Sequence, residues 1–128
     1  MNLSRSLFKL ILGNRLPRLD GKIIIQGPEK PVTIERDNWG IPYIRSESVT
    51  DGWFGLGFCQ GQDRSFQLEV AQRVSRGTLS EIIGPAGLPV DRLSRRIGFH
   101  RSSVNQMSVL DGTTRSYLKA FTDGINIG

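Results

Sequence analysis

With 128 residues, 38% of them apolar, the chain has material for one domain with a modest core, and its recurring apolar residues exclude wholesale disorder. Its formal charge is +5, but five of its 17 basic residues (Arg5, Lys9, Arg15, Arg18, Lys22) precede residue 23 with one acid, Asp20, which leaves 12 basic and 11 acidic residues in the body. A nearly neutral body argues against a nucleic-acid binder, which needs a basic stripe on its folded surface, and one cysteine with one histidine leaves no internal disulfide and no Cys/His metal spacing.

Residues 1–18 read as a basic leader or arm. Its apolar stretch, Leu7 to Leu12, is interrupted by Lys9. It is too short for a transmembrane helix and shorter than the apolar region of a signal peptide, with no small-residue cleavage site. The favoured reading is a solvated, partly helical arm. The alternative is a membrane-surface contact through Leu7, Phe8, Leu10, Ile11 and Leu12.

From residue 19 the chain reads as α+β, strands first and helices after. Ile23–Ile25 and Val32–Ile34 are β-branched clusters with Gly27-Pro28-Glu29-Lys30-Pro31 between them, so a hairpin is expected there. Asp37-Asn38-Trp39-Gly40 is a second turn signal, and Pro42 restricts the next strand to an edge or a strand start.

After Ser48 the apolar period becomes helical. Gly52, Gly55, Gly57 and Gly61 weaken this helix by roughly 1 kcal/mol each in an exposed setting, a cost that implies close packing on another backbone. From Gln62 it is expected to be well formed, with Phe66, Val70 and Val74 on one face and Gly77 as terminator. Thr78 to Glu81 matches a capping box, so Thr78 is expected to cap a short helix closed by Gly84-Pro85. A loop through Gly87 and Pro89 follows. Asp91 is then placed as the cap of a basic helix that is irregular at Gly98, and Thr113 or Thr114 as the cap of a last helix carrying Tyr117, Leu118, Phe121 and Ile125. The periodic "DGINIG" at residues 123–128 reads as a helix cut short, so 19–128 is expected to be an incomplete domain.

No catalytic, substrate-binding or metal-binding set is expected in this segment. His100 sits among arginines with only Asp91 near in sequence, and a Ser/His or Cys/His unit needs a base. Cys59 lies in an apolar, glycine-rich stretch without a neighbouring cation, which reads as a buried packing residue. Asp63, Arg64, Gln67, Glu69 and Arg73 read as a structural polar network, with Glu69 and Arg73 paired one turn apart. The expectation is a buried lock between helix and sheet, in which Arg64 serves a carboxylate elsewhere.

Several segments, in the right order, resemble the penicillin acylase (penicillin amidase) family. "VTIERDNWGIPYIRSES" is similar to its opening strand motif. "DGWFGLGFCQGQDRSFQLEVAQRVSRGTLSEIIG" is similar to its signature helix, carried here by Gln62, Asp63, Arg64, Phe66, Gln67, Glu69, Arg73, Gly77, Glu81 and Gly84. "DRLSRRIGFHRSS" and "LKAFTDGIN" resemble the next two segments, so the resemblance covers about residues 19–128. Departures are Cys59, where the family has Val or Ala, Gly61, where Ala is common, and Tyr43, which replaces a frequent His.

The resemblance implies the N-terminal part of the α subunit of an N-terminal nucleophile hydrolase, a fragment of an αββα fold. It implies a precursor that cuts itself, with the nucleophile at the start of the β subunit, its own α-amine as base, and an Asn with backbone N–H groups as oxyanion hole. The substrates implied are small-molecule amides, among them β-lactam side-chain amides and N-acyl-homoserine lactones. The partner implied is the β-subunit part of the same precursor. No cofactor is implied in this segment, although the family allows a calcium ion in the complete enzyme. Family members are often periplasmic, and the leader carries no convincing export signal. The alternative from another class is a non-catalytic helical interaction module derived from the family.

Overall fold

A computed structural model describes residues 21–128; the leader expected at 1–18 lies outside the described residues. The fold is mostly helical, with a small sheet at its start. Strand β1 (Thr33–Arg36) pairs antiparallel with β2 (Pro42–Arg45), in the register Thr33↔Arg45, Ile34↔Ile44, Glu35↔Tyr43 and Arg36↔Pro42.

This hairpin is one turn later than the sequence suggested. Ile23–Ile25 is not a strand, and the ladder turns at Asp37–Ile41 instead. The reason lies in where the backbone donors go. The N–H groups of Glu29 and Lys30 point to the Asp51 carboxylate, at 2.9 and 3.3 Å, and Pro28 and Pro31 have none to offer a ladder. The later turn is locally self-sufficient. Asp37 Oδ1 accepts from Trp39 N and Ile41 N, both at 2.9 Å, and Gly40 supplies the φ of +79° that the reversal requires. Pro42 stands at the first position of β2, as expected of a proline in a sheet.

Helix α1 (Val49–Arg76) is the axis of the molecule. Ser48 caps it, its Oγ accepting from Asp51 N at 3.0 Å, and Gly77, at φ +69°, ends it as expected. The glycines of its first half do what their cost implied. A Cβ on Gly57 would run into Phe121 O, and one on Gly61 into Ile125 O. In return, Gly124 sits on Phe54 O and Gly128 on Phe58 O. The contacts advance together along both chains, so α1 and the last helix run parallel at backbone contact. Gly55 makes room on another side for Ile44 and Val32 of the sheet region. Phe54 and Cys59 are the buried apolar residues between these layers. Trp53 stacks on Tyr117 at 6.3 Å and meets Phe121 edge-on at 6.2 Å.

The second half of α1 departs from expectation. Arg64 has non-helical angles (φ −138°, ψ 20°), just beyond the last glycine contact, and Phe66 is 74% exposed rather than part of an inward face.

A short helix α2 (Ser80–Ile83), a 3₁₀ turn (Gly84–Gly87) and α3 (Leu88–Ile97) follow. The expected capping box does not form. Thr78 is not the cap, because Asp91, from inside α3, already binds Leu79 N and Ser80 N, at 2.7 and 2.9 Å. Glu81 turns instead to Arg73. Pro89 is not in a loop but in the first turn of α3, where a missing N–H costs nothing. The irregularity at Gly98 is a full break, at φ +82°, between α3 and α4 (Phe99–Val109). Helix α5 (Gly112–Ile127) is capped by Asp111 rather than by a threonine, its carboxylate accepting from both Thr114 N and Thr114 Oγ1. No helix among the described residues is long and apolar enough to cross a membrane.

Candidate functional site

The densest polar junction lies where β1 meets α1. Arg36 ends β1, and its guanidinium forms a two-pronged pair with Asp63, Nη1 to Oδ2 at 2.9 Å and Nη2 to Oδ1 at 3.0 Å. The same Nη1 donates to Gly40 O at 2.9 Å, and Nη2 reaches Gln62 Oε1 at 3.4 Å. Arg36 thus closes the hairpin turn and fastens it to the helix. Its side chain is only 17% exposed, so this pair is better shielded from solvent than the other ion pairs.

The five residues of the expected network do not gather here. Asp63 joins the junction, but its partner is Arg36, 27 positions away, and not Arg64. Arg64 is exposed and donates only to Gln67 Oε1 at 3.4 Å. Glu69 and Arg73 form the expected pair at 2.6 Å, and Arg73 also holds Glu81 at 2.6 Å, a cluster at the far end of α1. The two carboxylates, Glu81 first and then Glu69, raise the pKa of Arg73. Asp63, Arg64, Gln67 and Glu69 are exposed in this chain, and the set splits into three ties, Asp63 to Arg36, Arg64 to Gln67 and Glu69 to Arg73.

Cys59 is buried one turn before Asp63. Burial raises its pKa; Arg36 nearby opposes this and Asp63 adds to it. A thiol held protonated is a packing group and not a nucleophile. His100 is exposed on α4. Among the described residues no three His, Cys, Asp or Glu gather to hold a metal ion.

Two carboxylates that matter structurally were not singled out for it by the sequence. Asp51 is fully buried and ties Glu29 and Lys30 to the start of α1. Asp91 is 4% exposed and does the same for Leu79 and Ser80. Its burial works to raise its pKa, but the Ser80 hydroxyl, the N–H groups of Ser80 and Leu79, and Arg95 together hold it below the ordinary 3.8. The signal for Asp51 was present, since Ser48-Val-Thr-Asp51 has the spacing of a capping box.

A cavity of about 490 Å³ adjoins the junction, walled by Ile23, Ile25, Val32, Ile34, Phe54 and Phe58, with Arg36 and Gln62 at its polar side. Lys22, Glu29 and Lys30 also line it. The junction beside it braces the hairpin turn against the helix.

The penicillin amidase family model matches residues 31–128. The chain is similar to the penicillin acylase 2 proenzyme of Pseudomonas sp. (strain SE83), at 35% identity over 87% of this chain and 14% of that protein. It is similar to the penicillin G acylase of Escherichia coli, at 32% identity over 74% of this chain and 11% of that protein. It is 27% identical to the acyl-homoserine lactone acylase QuiP of Pseudomonas aeruginosa, over 87% of this chain and 13% of that protein. In structure it is similar to a thermostable penicillin G acylase from Alcaligenes faecalis, with a TM-score of 0.67 and 29% identity, over 75% of this chain and 51% of the solved one. The chain therefore spans between a tenth and a seventh of the length of these curated relatives.

Proposed function

The chain belongs to the penicillin amidase family, and from that premise we propose that it is the N-terminal scaffold of an amidohydrolase whose catalytic residues lie on other polypeptide of the same protein. The carrying observation is that the family match runs through the glycine-packed helix and the Arg36–Asp63 junction, while the chain spans only 14%, 11% and 13% of the three acylases named above. In the complete enzyme the αββα fold is expected, and the nucleophile is the first residue of a β subunit released from a precursor. The word proenzyme in the name of one relative supports a precursor.

The reaction is acyl transfer. The nucleophile's oxygen attacks the amide carbonyl while its own α-amine takes the proton. That proton passes to the leaving amine, and water then releases the acid from the acyl-enzyme. The names of the relatives support penicillin side-chain amides and acyl-homoserine lactones as the substrate classes.

The exposed side chains of Asp63, Arg64, Gln67 and Glu69 are assigned to the boundary with that remaining polypeptide. Ties that this chain leaves in water become buried there, which completes the lock.

The test is mass and activity together. The natural open reading frame, expressed from Met1, is expected to give two chains from one precursor and to hydrolyse a penicillin side-chain amide or an acyl-homoserine lactone. A single chain of about this size without turnover overturns the reading and leaves a non-catalytic interaction module.

A further inference from the structure

Helix α3 is packed with its polar side inward. Asp91 and Ser94 are buried, with the Gly98 that ends the helix. Val90, Leu93 and Ile97, spaced three and four apart, form one stripe on the outside. Leu93 is 57% and Ile97 53% exposed. The inversion has a cause: the Asp91 carboxylate is committed to Leu79 N, Ser80 N and Ser80 Oγ, which fixes the side of the helix that faces in. Helix α4 continues this surface with no buried residue and with Phe99 and Val104 exposed.

The charge on this surface has one sign. Arg92, Arg95, Arg96 and Arg101 lie between residues 92 and 110, and no Asp or Glu does. Arg95 is occupied, its Nε donating to Gly77 O at 2.8 Å. Arg92, Arg96 and Arg101 are exposed and take part in no ion pair among the described residues. The nearest acids in sequence are committed elsewhere, Asp91 to Leu79 and Ser80 and Asp111 to Thr114.

We infer that the α3–α4 face docks on an anionic lipid surface, with Val90, Leu93 and Ile97 at the acyl boundary and Arg92, Arg96 and Arg101 on the lipid phosphates. An aliphatic stripe flanked by arginines is the composition of a helix that lies in a membrane interface. The planar guanidinium binds phosphate through two donors, which suits a headgroup layer. A protein partner is the weaker fit, because the stripe carries none of the Trp or Tyr anchors that concentrate binding energy at protein interfaces. A fluid acyl boundary needs no shape complementarity to accept Val, Leu and Ile. The inference rests on the further polypeptide of the hydrolase reading leaving this face open, which the hydrogen-exchange experiment below tests separately from turnover.

The experiment is cosedimentation of the full-length protein with phosphatidylcholine vesicles, with and without phosphatidylglycerol. Binding is expected only with the anionic lipid and is expected to weaken as salt rises. The double variant R92Q/R96Q is expected to lower the partition coefficient roughly thirtyfold, at the strength of two surface cations. L93S/I97S is expected to abolish binding, with thermal unfolding unchanged in both variants. Binding that ignores both variants, equal binding to neutral vesicles, or no binding overturns the inference.

Hydrogen exchange on the unaltered protein gives a second readout that needs no variant. Anionic vesicles are expected to slow exchange in residues 88–109. No slowing overturns the inference, and so does protection there without lipid, which assigns the face to a polypeptide partner.

Discussion

The two halves of helix α1 solve the same problem in opposite ways. From Val49 to Gly61 the helix meets α5 at backbone contact through its glycines, beside Trp53 packed on Tyr117 and Phe121, and makes room at Gly55 for Ile44 and Val32 of the sheet region. From Asp63 to Arg76 it is rich in charge, mostly exposed, and held by ion pairs and the Gly77 cap. The first half is specified by what it lacks: any Cβ at Gly57 or Gly61 collides with a carbonyl. The second is specified by what it carries, and single changes there leave the rest in place. A helix kinked at Arg64 thus joins a region intolerant of volume to a region tolerant of it.

The largest effect expected is from Gly57→Ala. The added methyl has no route away from Phe121 O, because the obstacle is backbone. A loss of about 3 kcal/mol or more in urea unfolding is expected, at the upper end for overpacking. A loss below about 1 kcal/mol breaks the comparison, because α5 then has room to retreat. Arg36→Ala comes next, at about 1.5–3 kcal/mol, since it strips Asp63 and Gly40 O together. Asp51→Ala is expected to cost about 1–3 kcal/mol, by orphaning the Glu29 and Lys30 N–H groups.

Asp91→Asn sharpens the comparison in acid. The folded pKa of Asp91 lies below 3.8, so its stabilising effect is whole above the unfolded value and is lost as pH falls from there through the folded value. The unaltered protein is expected to lose thermal stability in that window. The variant is expected to start lower and to lose less there. Arg64→Ala is the smallest change in this chain by itself, within about 0.5 kcal/mol, as for other exposed positions. A loss several times larger in the full-length protein shows the polar half covered by further polypeptide; an equally small loss there removes the proposed lock.

Features that depend on local chemistry were legible. The glycine row announced a backbone neighbour, Gly77 was placed as a helix terminator, Gly98 was marked as an irregularity though not as a full break, and Cys59 was recognised as packing. What failed was competition over distance. The Ile23–Ile25 cluster lost its hairpin because Asp51, 21 and 22 positions on from the backbone it holds, captured Lys30 and Glu29. The capping box at Thr78 lost to Asp91 in the same way. Asp63, expected in a network with its helix neighbours, is held by Arg36, and no spacing rule connects residues 27 apart. In each case a local pattern was valid and a distant carboxylate or guanidinium offered a better partner.

The parallel contact of α1 with α5 has a consequence in time. Residues 54–62 meet residues 121–128, so the glycine face of α1 has no partner until the chain some 64 positions after Gly57 has been made. At ordinary synthesis rates that is a wait of roughly 3–13 s. Contacts this distant in sequence are slow to form and reward the chain only at the end. During that interval a helix weakened by its own glycines stands with a bare groove. The part of the molecule that is most tightly packed when finished is therefore the part most open to mistaken pairing while it is being born.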